Sequence, residues 1–145
     1  MNKLLSLLVA AILFATGASA QGSSARYDQV VELIKSKGYS LSVNQGDGYV
    51  DLKQGEVGYV WKEFYAGDDY MIVAFSDDGD VKDMDLFIED EDGDVITKDD
   101  DASSVAAVTY TPSKNRKLKV RYKNTRSGTP NYESRCRLLI AYLEK

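Results

Sequence analysis

From Tyr39 onward, the apolar residues of this chain recur at every second position within short segments. The clearest segment is KLKVRYK, in which Leu118, Val120 and Tyr122 alternate with basic residues. This period is typical of a β-strand that buries one face. Turn residues separate the segments, and Asp92-Gly93 favours a two-residue hairpin turn. The pattern predicts a single antiparallel β-sandwich of seven or eight strands over residues 39–145.

The strand predicted in EVGYVWKEFYA carries aromatic residues on both of its faces. Tyr59, Trp61 and Tyr65 share one face, whereas Val60 and Phe64 share the other. Because both faces are largely apolar, we expect a central, well-covered strand with the Trp61 face in the core. The alternative is an exposed aromatic face that stacks on sugars or on a protein partner. Further along the chain, TRSGTPN is predicted to be a loop.

The residues before the first strand follow a helical period instead. SARYDQVVELIKSKGY begins with Ser, a residue that favours helix starts, and ends at Gly38, which favours helix ends. Its apolar residues form one stripe at helical spacing, namely Tyr27, Val30, Val31 and Ile34. We therefore expect a short helix within residues 21–38 that packs on the domain. A helix that binds a partner is the alternative.

Residues 1–20 have the pattern of a cleaved signal peptide. Lys3 precedes the apolar run LLSLLVAAILFATG, and Ala18-Ser19-Ala20 fits the small-residue cleavage rule. A membrane anchor would need about 20 apolar residues. The mature chain is therefore expected to begin near Gln21, to be secreted or periplasmic, and to have no stable membrane insertion.

Charge and composition exclude several classes of function. Without Lys3, seventeen Lys and Arg stand against 23 Asp and Glu, a net charge of −6. Such an acidic chain is not expected to bind nucleic acid. It contains no His, which excludes Ser-His-Asp triads and His-ligated zinc. A carboxylate pair, Asp83 with Asp85 or Glu63 with Asp77, is the remaining catalytic alternative, but we expect no enzyme.

The single cysteine, Cys136, cannot form a disulfide within the chain. An unpaired cysteine in a secreted protein is either buried or paired with another chain. Because Cys136 lies in the apolar segment SRCRLLIAYL, we expect it to be buried.

Charge is also unevenly distributed along the chain. Residues 77–101 hold thirteen Asp or Glu and two Lys, whereas residues 114–137 hold nine basic residues and one Glu. We expect the outer faces of two neighbouring sheets to carry these opposite signs. The alternative is a dipolar surface that drives weak head-to-tail self-association or recruits a charged partner.

The acidic segment suggests a calcium site. Ca²⁺ takes six to eight oxygen ligands, mostly carboxylates and carbonyls, and calcium is the one cofactor that the sequence suggests. In MDLFIED, Met84, Leu86 and Ile88 are expected to face the core, with the acidic residues on the other face. The candidate ligands are Asp78, Asp80, Asp83, Asp85 and Asp99. The alternative is that these residues cap turns and lie in solvent.

The order Asp83-x-Asp85-Leu86, a Gly turn, an aliphatic strand, Tyr-Thr-Pro and then KLKVRY resembles the bacterial pre-peptidase C-terminal domain family. The resemblance covers roughly residues 50–143. It implies a jelly-roll-like sandwich with an accessory role in binding, secretion or stability, and some members bind calcium. The chain departs from the family in having no protease domain and no Cys pair around SDDGDVKD.

Together these patterns favour a secreted, non-catalytic accessory or binding module of the cell envelope or extracellular space. Its partner would be a protein or a glycan. The alternative is a calcium-binding structural or adhesive protein that self-associates.

Overall fold

The computed structural model describes residues 23–41 and 49–143, which form one α-helix and nine β-strands. The predicted signal peptide lies outside the described residues. Among the described residues, no helix is long and apolar enough to cross a membrane. The elements are α1 (Ser23–Ser36), β1 (Ser40–Leu41), β2 (Tyr49–Leu52), β3 (Val57–Phe64), β4 (Asp69–Ser76), β5 (Val81–Glu89), β6 (Val95–Asp99), β7 (Val105–Tyr110), β8 (Arg116–Ser127) and β9 (Ser134–Leu143).

The strands form two antiparallel sheets. One has the order β1-β9-β4-β7, with β2 also paired to β9, and the other has the order β3-β8-β5-β6. The chain resembles a long hairpin rolled onto itself, because β2 pairs with β9, β3 with β8, β4 with β7 and β5 with β6. This nested pairing is that of a jelly roll. The predicted β-sandwich with a preceding helix is therefore confirmed, although the described residues form nine strands.

The main core lies between the two sheets. Met84, Leu86 and Ile88 of β5 are fully buried there, which confirms the predicted inner face of that strand. On β8 the inner residues are Leu118, Val120, Tyr122 and Asn124, in alternation with charged and polar residues. Cys136 of β9 is buried in the same core, as predicted.

A second apolar layer lies between α1 and the outer face of the five-stranded sheet. Val30 and Ile34 of α1 are fully buried against Met71, Val73 and Phe75 of β4. Strand β4 is therefore covered on both faces, with every residue from Tyr70 to Ser76 buried. The helix therefore covers the outer face of the five-stranded sheet, and it does not cover the outer face of the four-stranded sheet.

Polar contacts hold α1 on the sheet at one end. The Arg26 Nη1 donates hydrogen bonds to the carbonyl oxygens of Asp78, at 2.8 Å, and Ser76, at 3.3 Å. Nearby, the Arg137 guanidinium lies over the ring of Tyr27 and bonds Asp77, with Nε and Oδ1 2.6 Å apart. These contacts connect the helix to the first residues of the acidic segment.

Two local predictions were wrong. The hairpin between β5 and β6 has a three-residue loop rather than a two-residue one, because the amide of Asp90 bonds the carbonyl of Asp94 at 3.0 Å. Gly93 has a φ of 86°, the left-handed conformation that this loop requires. In addition, β8 continues through Thr125 to Ser127, where a loop was predicted, because these residues pair with the start of β5.

Gly58 of β3 leaves space for a ring in the core. It lies opposite Tyr122, and a Cβ added to Gly58 would lie 2.6 Å from the Tyr122 Cζ. Because that ring is almost fully buried, it has little room to move. We expect Gly58→Ala to lower the free energy of unfolding by about 1–3 kcal/mol, measured by urea denaturation. Gly79→Ala is the control, since a Cβ there meets nothing within 4 Å. Equal stability of the two variants would contradict the prediction.

Candidate functional site on the outer face of the four-stranded sheet

The outer face of β3 carries a row of exposed aromatic rings. Tyr59, Trp61 and Tyr65 are 58%, 45% and 50% exposed, whereas Phe64 is fully buried. The prediction that the Trp61 face is core was therefore wrong. The prediction of a central strand was also wrong, because β3 is the edge strand of its sheet.

The register of β3 against β8 explains this orientation. Directly opposite residues of an antiparallel pair point to the same side of the sheet. Val60 lies opposite the buried Val120, so the even-numbered residues of β3 face the core. Tyr59 and Trp61 lie opposite Arg121 and Lys119, so they face outward.

The spacing of the rings makes a linear platform. Residues two apart on a strand are about 7 Å apart, and the distance from Tyr59 to Tyr65 is roughly 20 Å. Tyr65 lies directly after the end of β3, and its phenol oxygen is 3.5 Å from Oε2 of Glu63. These three rings, at Tyr59, Trp61 and Tyr65, are called the aromatic row below.

A row of basic residues on β8 runs beside the aromatic row. Lys117, Lys119, Arg121 and Lys123 lie opposite Glu63, Trp61, Tyr59 and Val57. The Lys119 Nζ lies 4.9 Å from the centre of the Tyr59 ring, a cation–π contact. Lys119 thus packs against the Tyr59 end of the aromatic row.

The carboxylate of Glu89 neutralises the centre of the basic row. Its Oε1 lies 2.6 Å from Nη2 and 2.7 Å from Nε of Arg121, and its Oε2 lies 3.9 Å from Nζ of Lys119. Glu89 is 7% exposed. The acidic strand β5 and the basic strand β8 are therefore neighbours in one sheet, and the prediction that the opposite charges lie on two sheets was wrong for these strands.

An open cleft of about 320 Å³ lies near the end of β5 and the start of β8. One side is acidic and the other basic, and the lining residues are Asp90, Glu91, Asp92, Lys114, Asn115, Arg116 and Lys117. Asn115 also accepts a hydrogen bond from the amide of Ala66, 2.8 Å from its Oδ1, next to Tyr65. The cleft therefore offers hydrogen-bond donors and acceptors close to one end of the aromatic row.

The five candidate calcium ligands are divided between two places. Asp85 and Asp99 are close enough to Asp83 for their charges to influence its pKa. Asp80 lies instead against the loop after β8, where its Oδ2 accepts the amide of Thr129 at 3.3 Å. Asp78 Oδ1 accepts the amide of Asp80 at 3.0 Å. The folded-back loop therefore does not bring Asp78 and Asp80 into the set around Asp83.

Most of these carboxylates already have hydrogen-bond donors. Asp99 accepts the amides of Ala107, at 2.9 Å, and Asp101, at 3.2 Å. Asp85 Oδ2 accepts the hydroxyl of Thr125 at 2.6 Å. Within residues 23–41 and 49–143, no three acidic side chains come together in a way that would hold a metal ion. Calcium binding therefore stays a prediction.

Asp83 differs from the other four candidates. Its Oδ1 is buried and has no hydrogen-bond donor among the described residues. Burial raises the pKa of the Asp83 carboxyl above its ordinary value, and the charge of Asp85 raises it further. The Arg126 guanidinium and the Ser103 amide oppose this shift in pKa. The fold therefore favours a protonated Asp83 more than an unfolded chain does.

The structure separates one of the two carboxylate pairs considered for catalysis, and Asp83 and Asp85 lie near each other on β5. Burial raises the pKa of the Cys136 thiol to about 12, so the thiolate nucleophile is disfavoured at neutral pH. Asp77 follows β4 and is buried against Arg137, whereas Glu63 is exposed on β3 in the other sheet. The structure therefore does not bring Glu63 and Asp77 together.

No protein-family model matches this chain. A search of curated proteins likewise finds no match. The similarity to pre-peptidase C-terminal domains therefore rests on the quoted residues and stays a prediction.

The raised pKa of Asp83 has a consequence for stability. A carboxyl whose pKa is higher in the folded state contributes stability below its unfolded pKa of about 4. That contribution is lost as the pH rises through the folded-state pKa. We expect Asp83→Asn to be more stable relative to wild type at pH 7 than at pH 3, in melts recorded in EDTA. Asp92→Asn, which removes an exposed carboxylate of the same segment, is the control. A larger gain in stability of Asp83→Asn over wild type at pH 3 than at pH 7 would contradict the prediction.

Proposed function

We propose that this protein is a secreted, non-catalytic binding module whose ligand is a glycan chain lying along the aromatic row. The observation that carries the proposal is the exposure of three aligned aromatic rings on the outer face that the helix leaves uncovered. Signal-peptide features in residues 1–20 support secretion.

The chemistry of the rings supports a stacked ligand. Tyr and Trp combine a large apolar face with a polar group that hydrogen-bonds, and such rings recur in binding sites. A sugar ring has C–H groups on its face and hydroxyls at its rim, so stacking and hydrogen bonding use both parts. Exposed apolar rings aligned on one surface are typical of an interaction site.

The charge of the surroundings supports a hydroxyl-rich ligand over a polyanion. Glu89 neutralises Arg121 and Lys119, and Glu63 and Asp85 lie opposite Lys117 and Lys123. The face therefore presents donors and acceptors side by side with little net charge, which suits hydroxyl groups. A linear platform of roughly 20 Å also suits a chain better than a small molecule, which binds in enclosed pockets.

The binding test uses matched aromatic variants and a panel of soluble neutral polysaccharides in affinity electrophoresis. We expect Trp61→Ala and Tyr59→Ala each to weaken binding about tenfold or more, equivalent to about 1.4 kcal/mol, because each removes a stacking ring. Tyr132→Ala is the control, since Tyr132 is 53% exposed in the loop between β8 and β9. No retardation by any polysaccharide, or an equal loss in Tyr132→Ala, would contradict the proposal.

A second candidate is a calcium-dependent structural or adhesive role. The buried Oδ1 of Asp83, without a hydrogen-bond donor among the described residues, is the observation that favours it. The test is a thermal melt in EDTA and then in millimolar calcium, with magnesium as control, on wild type and on Asp83→Asn/Asp85→Asn. At a calcium concentration of one hundred times the Kd, binding would add about 2.7 kcal/mol to the free energy of unfolding. A calcium-specific rise lost in the double variant would support this candidate, and equal melts would dismiss it.

A further inference from the structure

Among residues 23–41 and 49–143, no strand pairs with one edge of β3. This strand is eight residues long, and its neighbour within those ranges is β8. Val57, Tyr59 and Trp61 are exposed on its outer side, but Val60, which faces the core side, is also 42% exposed. An inward-facing valine is accessible only where no strand covers that side of the sandwich. Apolar side chains on both sides of an open edge favour pairing with another strand.

The other sheet edges of the described chain are protected. Strands β1 and β2 have two and four residues, and β6 has five with a bulge beside it. At the edge strand β7, Asp99 accepts the amide of Ala107, so a carboxylate takes the place of a neighbouring strand. Short strands, bulges and charged side chains all prevent edge-to-edge pairing. Strand β3 has neither the short length nor the bulge, but it carries the charged residues Lys62 and Glu63.

We propose that β3 pairs with β3 of a second copy of this chain, antiparallel about a two-fold axis at Val60, and joins two four-stranded sheets into one. In this register Val60 lies opposite Val60 of the partner subunit. Tyr59 lies opposite Trp61 of the partner subunit, and the same pair recurs across the axis. Aromatic and β-branched cross-strand pairs are favourable in sheets.

The charged residues fit the same register. Lys62 faces the core side of an edge strand. A charge at such a position disfavours pairing with most other strands. About the Val60 axis Lys62 lies opposite Gly58 of the partner subunit, which has no side chain, and diagonal to Glu56 of the partner subunit. Strand β3 together with Glu56, the residue before it, is thus complementary to itself in size and in charge. The Glu56 Oε2 also accepts the amide of Lys53, at 2.7 Å. A symmetric dimer needs this self-complementarity, because its interface uses the same patch twice.

This dimer goes beyond the proposed glycan binding. It depends on the backbone edge and on Val60, which is not part of the aromatic row, although its Tyr59–Trp61 cross-strand pairs also involve two rings of that row. In the joined sheet the two aromatic rows lie next to each other across the axis. The platform for a chain-like ligand then becomes wider without any new residue.

The first experiment is sedimentation velocity of the purified protein over a range of concentrations. We expect a monomer–dimer equilibrium that Val60→Lys weakens at least tenfold, because two lysines then face each other at the axis. Val95→Lys is the matched control, since Val95 is 48% exposed on the opposite edge strand of the same sheet. The circular dichroism melt of each variant verifies that it folds. The proposal would be overturned if the protein were a monomer at all concentrations, or if Val95→Lys weakened the dimer as much as Val60→Lys does.

The second experiment tests the register directly. Directly opposite residues have Cβ atoms about 4.5–5.5 Å apart, close to the separation in a disulfide. We expect Val60→Cys to form a disulfide-linked dimer under mild oxidation, while Val95→Cys stays monomeric on non-reducing gels. The native Cys136 is buried and does not compete. Equal crosslinking of the two variants would overturn the proposed register.

Discussion

The antiparallel pairing of β5 with β8 is the constraint on which the rest of the sandwich depends. It places the most acidic strand beside the most basic one, with Asp85 opposite Lys123 and Glu89 opposite Lys119. The same register sends Leu86 and Tyr122 into the core. A slip by one residue would move charges into the core and apolar residues into solvent. The hydrophobic pattern and the charge pattern therefore specify the same register. Such agreement between local preferences and tertiary contacts favours one fold over its alternatives. Strand β8 then positions β3 on its other side.

The alternation of residues revealed strands but not always which face is buried. On β5 one face is apolar and the other acidic, so the inner face was predictable from Met84 and Leu86 alone. On β3 both faces carry large apolar residues, and a period of two cannot distinguish them. The register with β8 decides, because it places Val60 opposite Val120. That register depends on residues about sixty positions away, and no local pattern contains it. The presence of Lys62 on the inner face further obscured the assignment.

The acidic segment shows why composition predicts chemistry poorly. A count of carboxylates does not reveal which donors they bond, and here several complete the fold. Asp99 takes the place of a strand at the edge of β7, and Asp78 and Asp80 organise the loop before β5. Glu89 is buried between two cations. Only Asp83 combines a buried oxygen lacking a donor among the described residues with a raised pKa. The predicted set thus contains two loop residues, Asp78 and Asp80, two strand residues with hydrogen-bond donors, Asp85 and Asp99, and the buried Asp83 with its raised pKa.

The exposed apolar residues of β3 are the basis of both proposed interactions. Apolar exposure on an edge strand favours aggregation, and the other edges of the described sandwich avoid it. The outer rings, such as Trp61, contribute little to the core, while Val60 is left open on the inner side. These two exposures call for different partners: rings on a sheet face suit a stacked ligand, and an open backbone edge suits a strand. Val60 is not part of the aromatic row, so a change at Val60 tests the dimer without removing a ring, whereas a change at Trp61 affects both the row and the cross-strand pair. The two proposals can therefore be tested separately on this one strand.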